Sequence, residues 1–120
     1  MASNVFSLAQ AWLYYGYVFP FAIYADDVLV GFVMMGHDKE AQRYTIWRFM
    51  IDAKYQKNGY GKTALNMIIE YMKKEFSVKE IFLSFEPDNK VAEKLYIAAG
   101  FKKTGEMDGD EIVMRLEIKK

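Results

Sequence analysis

The chain has 120 residues, of which 52% are hydrophobic and 17% aromatic, and its formal net charge is zero. This length suits one domain with a packed core over residues 1–120, and zero net charge speaks against a dedicated nucleic-acid binder, which usually carries a basic excess. The sequence has no cysteine, which excludes disulfides, thiolate metal ligands and a catalytic thiol, and its single histidine, His37, leaves little room for a zinc site or a serine-type triad.

The first 25 residues carry no charge, which raises the question of a membrane segment or a signal peptide. A signal peptide begins with basic residues, which are absent here, and a spanning helix needs about 20 mostly apolar residues. Polar or helix-breaking residues interrupt this run at Asn4, Ser7, Gln10, Gly16 and Pro20. We therefore expect no membrane segment but a short helix that Asn4 caps, with an apolar face made of Val5, Leu8, Ala9 and Trp12.

Three strands are predicted next. Pro20–Ala25 and Val28–Gly36 form a hairpin around a turn at Asp26 and Asp27. A polar loop from His37 to Gln42 comes next. The third strand, Arg43–Ile51, is rich in aromatic and β-branched residues, and a polar connection follows it.

The second half of the chain alternates helices and strands. A helix is predicted from Gly59 or Tyr60 to about Phe76, followed by a strand at Lys79–Phe85 and a second long helix that begins at Pro87-Asp88-Asn89 and ends at Ala99. Gly100 stands where a left-handed C-terminal cap is needed, and Phe101 follows as its hydrophobic contact. The last two strands are predicted at Phe101–Met107 and Glu111–Ile118. The order predicts an α/β fold, a mixed sheet of about six strands with three helices.

The segment YQKNGYGKTAL, Tyr55–Leu65, matches three nucleotide-binding motifs. A P-loop requires glycine five residues before Gly61, where this chain has Gln56. The dinucleotide fingerprint fits Gly59, Gly61 and Ala64, but its first glycine follows the strand almost directly, whereas seven residues, Asp52 to Asn58, intervene here. Both motifs are therefore disfavoured.

The third interpretation is a loop that holds the pyrophosphate of coenzyme A. The N-terminus of a helix offers unpaired N–H groups and the positive end of the helix dipole, and glycines let a phosphate approach the main chain. Gln56 can fix the loop or bond a phosphate oxygen, and Lys57 and Lys62 add positive charge. Taken alone, the loop is equally compatible with a simple capped helix start.

A second motif decides between these interpretations. The segment PDNKVAEKLYIAAGFKKTGE contains Asn89-x-x-Ala92-x-x-Leu95-Tyr96-x-x-x-Gly100-Phe101. Together with Gln56-x-x-Gly59-x-Gly61, this segment resembles the GCN5-related N-acetyltransferase (GNAT) superfamily. The resemblance runs over nearly the whole chain from the Pro20 hairpin onward, and AIYADDVLVGFVMMG and YTIWRFMIDAKYQKNGYGKTAL look most like the bacterial spermine/spermidine acetyltransferases.

The resemblance implies transfer of an acetyl group from acetyl-CoA to a primary amine, with a polyamine as one candidate acceptor. It implies a central parallel pair, Arg43–Ile51 and Lys79–Phe85, that splays apart to admit the pantetheine arm. The main chain of Phe49, Met50 and Ile51 would contact this arm, and a backbone N–H near Met50 would stabilise the oxyanion. Asn89 would touch the arm or the phosphates. The pyrophosphate would fall on Gln56, Lys57, Asn58, Gly59, Tyr60, Gly61, Lys62 and Thr63.

Tyr96 is the expected catalytic residue, because a tyrosine here in the family protonates the departing thiolate. A phenol with an ordinary pKa of about 10 is a usable proton source near a thiolate. Glu86 is the candidate to take the proton of the ammonium or to bind the cationic acceptor, and His37 is the other titratable candidate. Carboxylates available to an acceptor cleft are Asp26, Asp27, Glu86, Glu106, Asp108, Asp110 and Glu111. Aromatic residues available for cation–π contacts, or simply for the core, are Tyr14, Tyr15, Tyr17, Trp47 and Phe49.

One departure from the family pattern concerns the N-terminus. The family fold opens with a strand and a helix before the helix expected at Asn4, and this chain is expected to lack both. Pro20–Ala25 would then be an exposed sheet edge, and acceptor binding would be impaired. The alternative function is therefore a truncated CoA-binding domain with little turnover. We expect no metal, nucleic acid or membrane as partner and a cytoplasmic location, and a homodimer is left open.

Overall fold

The computed structural model describes residues 6–10, 18–38 and 42–118. Along these residues the chain forms seven strands, one 3-10 helix and two α-helices. In chain order they are β1 (Phe6–Gln10), β2 (Val18–Ala25), β3 (Val28–Asp38), β4 (Arg43–Ile51), the 3-10 helix (Ala53–Asn58), α1 (Tyr60–Phe76), β5 (Glu80–Phe85), α2 (Lys90–Ala98), β6 (Lys102–Asp108) and β7 (Glu111–Glu117).

The described strands form one sheet in the order β1-β2-β3-β4-β5-β7-β6. All neighbours are antiparallel except β4 and β5, which run parallel at the centre. A parallel pair needs a crossover, and α1 supplies it between these two strands. The predicted mixed sheet with a central parallel pair is therefore confirmed.

The N-terminal prediction was wrong for the residues that the structure describes. Residues 6–10 form β1 and pair with β2 from Phe6↔Ala25 to Gln10↔Phe21, where a helix was expected. Phe6 and Leu8 are half-buried while Ser7 between them is exposed, which is the two-residue period of a strand. As a consequence β2 is not the sheet edge that the sequence predicted, and the described chain has seven strands and two α-helices in place of six and three.

The helix α1 packs its apolar face on the sheet. Ala64, Leu65, Ile68, Ile69 and Met72 are buried, as the predicted stripe requires. They join a core that β2, β3, β4 and β5 supply with alternating buried side chains, among them Ile23, Val33, Ile46, Ile81 and Leu83. No helix within the described ranges is long and apolar enough to cross a membrane.

The end of α2 was predicted correctly. Gly100 adopts φ +105°, its N–H donates to the Ile97 carbonyl at 3.0 Å, and the Phe101 N–H donates to the Tyr96 carbonyl at 3.0 Å. These are the two bonds of a Schellman motif, and the rings of Tyr96 and Phe101 form its hydrophobic contact at 6.0 Å between centroids. The motif fixes where α2 ends and therefore where Tyr96 lies.

Candidate functional site

The parallel strands separate immediately after they meet. Only Thr45↔Phe82 and Ile46↔Leu83 pair within the described sheet, although β4 continues to Ile51 and β5 to Phe85. The register between β3 and β4 shifts between Met34 and Met35, which leaves Trp47 as an extra, bulged residue on β4. Past this bulge, the β4 edge that faces β5 has no strand partner in the described chain, so its backbone groups can pair with a ligand.

The predicted main-chain contacts lie on this open part of β4. Ile51 is buried, Phe49 is half-buried and Met50 is 55% exposed. Gly31 of β3 faces them, because a Cβ there would collide with the Met50 carbonyl oxygen and would lie 2.8 Å from Ile51 Cδ1. The glycine thus lets β3 hold the end of β4 closely while the other edge stays open.

The loop after β4 is held by its own side chains. Asp52 Oδ1 accepts a hydrogen bond from the Lys54 N–H at 3.2 Å and caps the 3-10 helix, and Gln56 Nε2 donates to the Ile51 carbonyl at 2.8 Å. Of the two roles considered for Gln56, the structure therefore shows the one that fixes the loop. The side chains of Lys57 and Asn58 lie outside what the structure describes.

Gly59 ends the 3-10 helix and begins α1. Its φ of +76° is a left-handed conformation that favours glycine, and it has no side chain with which to cap α1. The first turn of α1 contains no acidic residue, so no carboxylate competes there with a bound anion. Tyr60 stacks on Tyr55 at 5.7 Å and meets the edge of Phe6 at 5.2 Å, which anchors this helix start to the loop and to β1. Gly61 lies against α2, since a Cβ there would be 3.5 Å from Leu95 Cδ2.

The helix α2 places Tyr96 beside the end of β5. Its side chain is only 6% exposed and packs between the rings of Phe85, at 6.1 Å, and Phe101. Burial, and to a lesser extent the negative charge of Glu111, raise the pKa of Tyr96 to about 12. At neutral pH the phenol is therefore fully protonated. Asn89 Oδ1 accepts from the Ala92 N–H at 3.2 Å, so the predicted ligand residue also caps α2.

Five of the described carboxylates line one open groove of about 850 Å³ next to the end of β5, together with Pro87 and Met107. They are Glu86, Asp88, Asp108, Asp110 and Glu111. We refer to this feature as the acidic groove. Glu111 Oε1 accepts a hydrogen bond from Ser84 Oγ at 2.6 Å. Ser84 was not predicted as a site residue; its one signal in the sequence is that it is a polar residue inside the apolar run IFLSF.

The other predicted carboxylates lie elsewhere. Asp26 and Asp27 form the β2–β3 turn, and Glu106 makes a two-pronged ion pair with Arg43, 3.0 Å for each contact. This pairing lowers the pKa of Glu106. The seven carboxylates proposed for an acceptor cleft therefore divide among three places, and four of them share the acidic groove.

Neither His37 nor Trp47 lines the acidic groove. His37 lies in β3, not in a loop, and its ring contacts Tyr44 at 4.6 Å at the start of β4, the end away from the separated strands. Trp47 is 44% exposed and covers Gly36, where a Cβ would collide with its ring. Tyr14, Tyr15 and Tyr17 lie outside the described residues.

Comparison with known proteins gives one family. The family model described as "Acetyltransferase (GNAT) family" matches residues 3–101. The spermine/spermidine N(1)-acetyltransferase of Bacillus subtilis strain 168 is 34% identical over 107 residues, which cover 82% of this chain and 70% of the relative.

Solved structures agree on the fold. The PaiA N-acetyltransferase of Thermoplasma acidophilum, solved in complex with coenzyme A, matches with a TM-score of 0.72 and 25% identity over 85% of this chain. A variant of the SpeG spermidine N-acetyltransferase of Vibrio cholerae matches with a TM-score of 0.75 and 18% identity over 85% of this chain, which is a likeness of fold alone. The chain spans 62% and 65% of the length of these two proteins, less than two thirds of either.

Proposed function

Because the chain belongs to the GNAT acetyltransferase family, we propose that it transfers an acetyl group from acetyl-CoA to a primary amine, with a polyamine as the acceptor class. The observation that carries this proposal is the separation of β4 from β5 beside both the start of α1 and Tyr96. An acyl carrier that follows the open edge of β4 would have an anion-binding helix end on one side and a phenol on the other.

Coenzyme A would be bound mainly by main-chain groups. The backbone of Phe49, Met50 and Ile51 would pair with the pantetheine arm, and the N–H near Met50 would stabilise the oxyanion. The pyrophosphate would take the N–H groups at the start of α1, where Gly59 has no side chain to occupy them and Lys62 is exposed. The whole predicted loop from Gln56 to Thr63 would serve this ligand, and Asn89 would contact it from α2 with the amide nitrogen that capping leaves available.

Tyr96 would act as general acid toward the departing thiolate. A phenol whose pKa is about 12 is protonated at every pH near neutrality, so it carries the proton that the thiolate needs. Glu86, exposed at the end of β5, would receive the cationic amine on the acceptor side or take its proton. The five carboxylates of the acidic groove favour a polycation there, and the name of the Bacillus subtilis relative points to the same chemical class.

An amine panel tests the proposal directly. The chain is mixed with acetyl-CoA and with spermine, spermidine, a diamine or a neutral amino sugar, and released CoA thiol is titrated while the product mass is measured. The protein has no cysteine and so adds no thiol background. We expect thiol release and a singly acetylated product with the polyamines. If CoA stabilises the protein but no amine gives thiol release, the alternative of a CoA-binding domain with little turnover is correct.

A further inference from the structure

Glu111 differs from the other carboxylates of the acidic groove. It is half-buried, whereas the side chains of Glu86, Asp88, Asp108 and Asp110 are exposed. It is also the first residue of β7, directly after the β6–β7 turn, so the sheet fixes its backbone. Of the five groups, Glu111 has the best-defined position, and a defined position is what proton transfer to a bound substrate requires.

Ser84 holds the Glu111 carboxylate at the separated strands. Leu83 is the last β5 residue that pairs with β4, so Ser84 is the first one beyond that pairing. Ser84 lies opposite Val113, two residues along β7 from Glu111, which puts the Ser84 and Glu111 side chains on the same face of the sheet. The 2.6 Å bond from Ser84 Oγ to Glu111 Oε1 has the length of a charge-assisted O–H···O⁻ bond. It uses one carboxylate oxygen and leaves Oε2 for a substrate.

The side chain of Tyr96 lies near the Glu111 carboxylate. Its side chain is more than nine-tenths buried, and no hydrogen bond joins its hydroxyl to another residue in the described part of the chain. The hydroxyl nevertheless lies near enough to Glu111 for that negative charge to act on it. The hydroxyl itself is not enclosed, because no enclosed side-chain nitrogen or oxygen in the described part of the chain lacks a hydrogen-bond partner. It can therefore bond a polar group that also touches the anchored carboxylate.

We propose that Glu111, positioned by Ser84, binds the reacting ammonium of the acceptor and accepts its proton. This proposal rests on the acetyl transfer proposed above and names the proton acceptor for that reaction. Glu86, which is exposed, would then bind a second ammonium of a polyamine, and Glu111 would take the proton-accepting role considered for Glu86 above. None of the described residues that line the acidic groove is lysine or arginine.

Glu111 and Tyr96 together account for every proton that moves in the reaction. The ammonium R–NH₃⁺ gives one proton to the Glu111 carboxylate, and the neutral amine attacks the carbonyl carbon of the thioester. The C–S bond breaks, the leaving thiolate takes the phenolic proton of Tyr96, and the proton that the amide nitrogen loses restores the phenol. Glu111 releases its proton to water. The sum is R–NH₃⁺ plus acetyl-CoA giving the amide, CoA–SH and one H⁺.

Substituting Glu111 by glutamine tests the assignment at nearly constant shape. We expect Glu111→Gln to lower kcat/KM for spermidine by about 10- to 100-fold, the size expected for the loss of one charge-assisted hydrogen bond, while KM for acetyl-CoA stays unchanged. Glu117→Gln, the same change at an exposed position of the same strand, is the matched control and should leave both parameters as in the wild type. An unchanged kcat/KM in Glu111→Gln overturns the proposal.

The role of Ser84 is tested by removing and restoring its hydroxyl. We expect Ser84→Ala to lower kcat/KM for spermidine, because the Glu111 carboxylate loses the bond that positions it. Ser84→Thr keeps the hydroxyl and should restore kcat/KM; if it behaves like Ser84→Ala, the hydroxyl is not what matters.

A binding measurement separates failure of this assignment from failure of the proposed function. Spermidine is titrated calorimetrically into the wild type, Glu111→Gln and Glu117→Gln in the presence of CoA. If the wild type acetylates no amine, the proposed function and the proton-accepting role of Glu111 fail, but Glu111 still stands as the ammonium site if only Glu111→Gln loses spermidine binding. Equal binding by all three proteins, or none by the wild type, rejects Glu111 as the ammonium site.

Discussion

Tyr96 owes its position to local sequence and its chemistry to burial. The Schellman bonds at Gly100 and Phe101 end α2, and the rings of Phe85 and Phe101 hold the phenol between them. Both glycine and aromatic residues can be recognised in the sequence, so the site of Tyr96 could be predicted from the motif. The pKa of about 12 could not, because it depends on burial and on Glu111, which lies on a distant strand.

The first prediction concerns Tyr96→Phe, which removes the hydroxyl but keeps the packed ring. We expect kcat to fall by about 10²- to 10⁴-fold, the range for loss of a general acid, with no change in the affinity for CoA. Since the pKa is about 12, ionisation of Tyr96 should cause no loss of wild-type activity below about pH 10. Tyr71→Phe is the control, because that half-buried tyrosine lies on α1 against Phe21. An unchanged kcat in Tyr96→Phe would refute the acid role.

The second prediction separates backbone strain from ligand contact at the two loop glycines. Gly59→Ala places a side chain at φ +76°, so we expect a loss of about 1–2 kcal/mol in the free energy of unfolding even though open space surrounds the position. Gly61 lies inside α1 without a positive φ, so Gly61→Ala should leave stability equal or higher by up to about 1 kcal/mol. Gly59→Ala should also weaken CoA binding, because its methyl group would enter the open space at the helix start, whereas the methyl group of Gly61→Ala would face Leu95 of α2. Denaturant unfolding and CoA titration measure the two effects. Full CoA affinity in Gly59→Ala would contradict phosphate binding at this helix start.

At the scale of elements, long periodic segments were predictable and the short N-terminal one was not. Two segments were predicted with the correct bounds, the α1 stripe from Ala64 to Met72 and the β4 strand from Arg43 to Ile51. In both, the regular spacing of apolar residues extends over many residues. Residues 6–10 are too few to distinguish the two periods, and pairing with β2 decides for a strand. The 3-10 helix at Ala53–Asn58 was not predicted either, because an Asp52 cap and a Gln56 bond to Ile51 stabilise it and neither is a periodic pattern.

The third prediction concerns the contact of β3 with the end of β4. Gly31→Ala would push a methyl group against the Met50 carbonyl oxygen and Ile51 Cδ1, so the strands must move apart. We expect a loss of about 1–3 kcal/mol in the free energy of unfolding and weaker CoA binding, since the main chain of Met50 shifts with β4. Leu29→Ala, at a position of the same strand that is 56% exposed, is the control and should change stability by less than about 0.5 kcal/mol. A stable Gly31→Ala protein with reduced CoA affinity would assign Gly31 to the ligand rather than to strand packing.

At the scale of the whole molecule, the two halves of the proposed reaction are built differently. Apart from Asn89, the proposed CoA half is one continuous stretch, β4 through the start of α1, so its motif can be recognised in the sequence. The acceptor half joins the end of β5, the segment before α2 and the β6–β7 turn, with Ser84 and Glu111 27 residues apart. Only the register of β5 with β7 brings them together, and single-sequence patterns do not specify that register.

This difference predicts that CoA binding depends on the pyrophosphate loop and not on the acceptor half. At CoA concentrations 100 times Kd, binding adds about 2.7 kcal/mol to the free energy of unfolding, which raises Tm by several degrees in a domain of this size. Pantetheine has the arm but no pyrophosphate, so we expect a much smaller shift with it at equal concentration. Glu111→Gln should keep the full CoA shift, whereas Gly59→Ala should reduce the CoA shift toward that of pantetheine. Equal shifts with CoA and pantetheine would show that the start of α1 binds no phosphate, and the assignment of the loop from Gln56 to Thr63 would then be wrong.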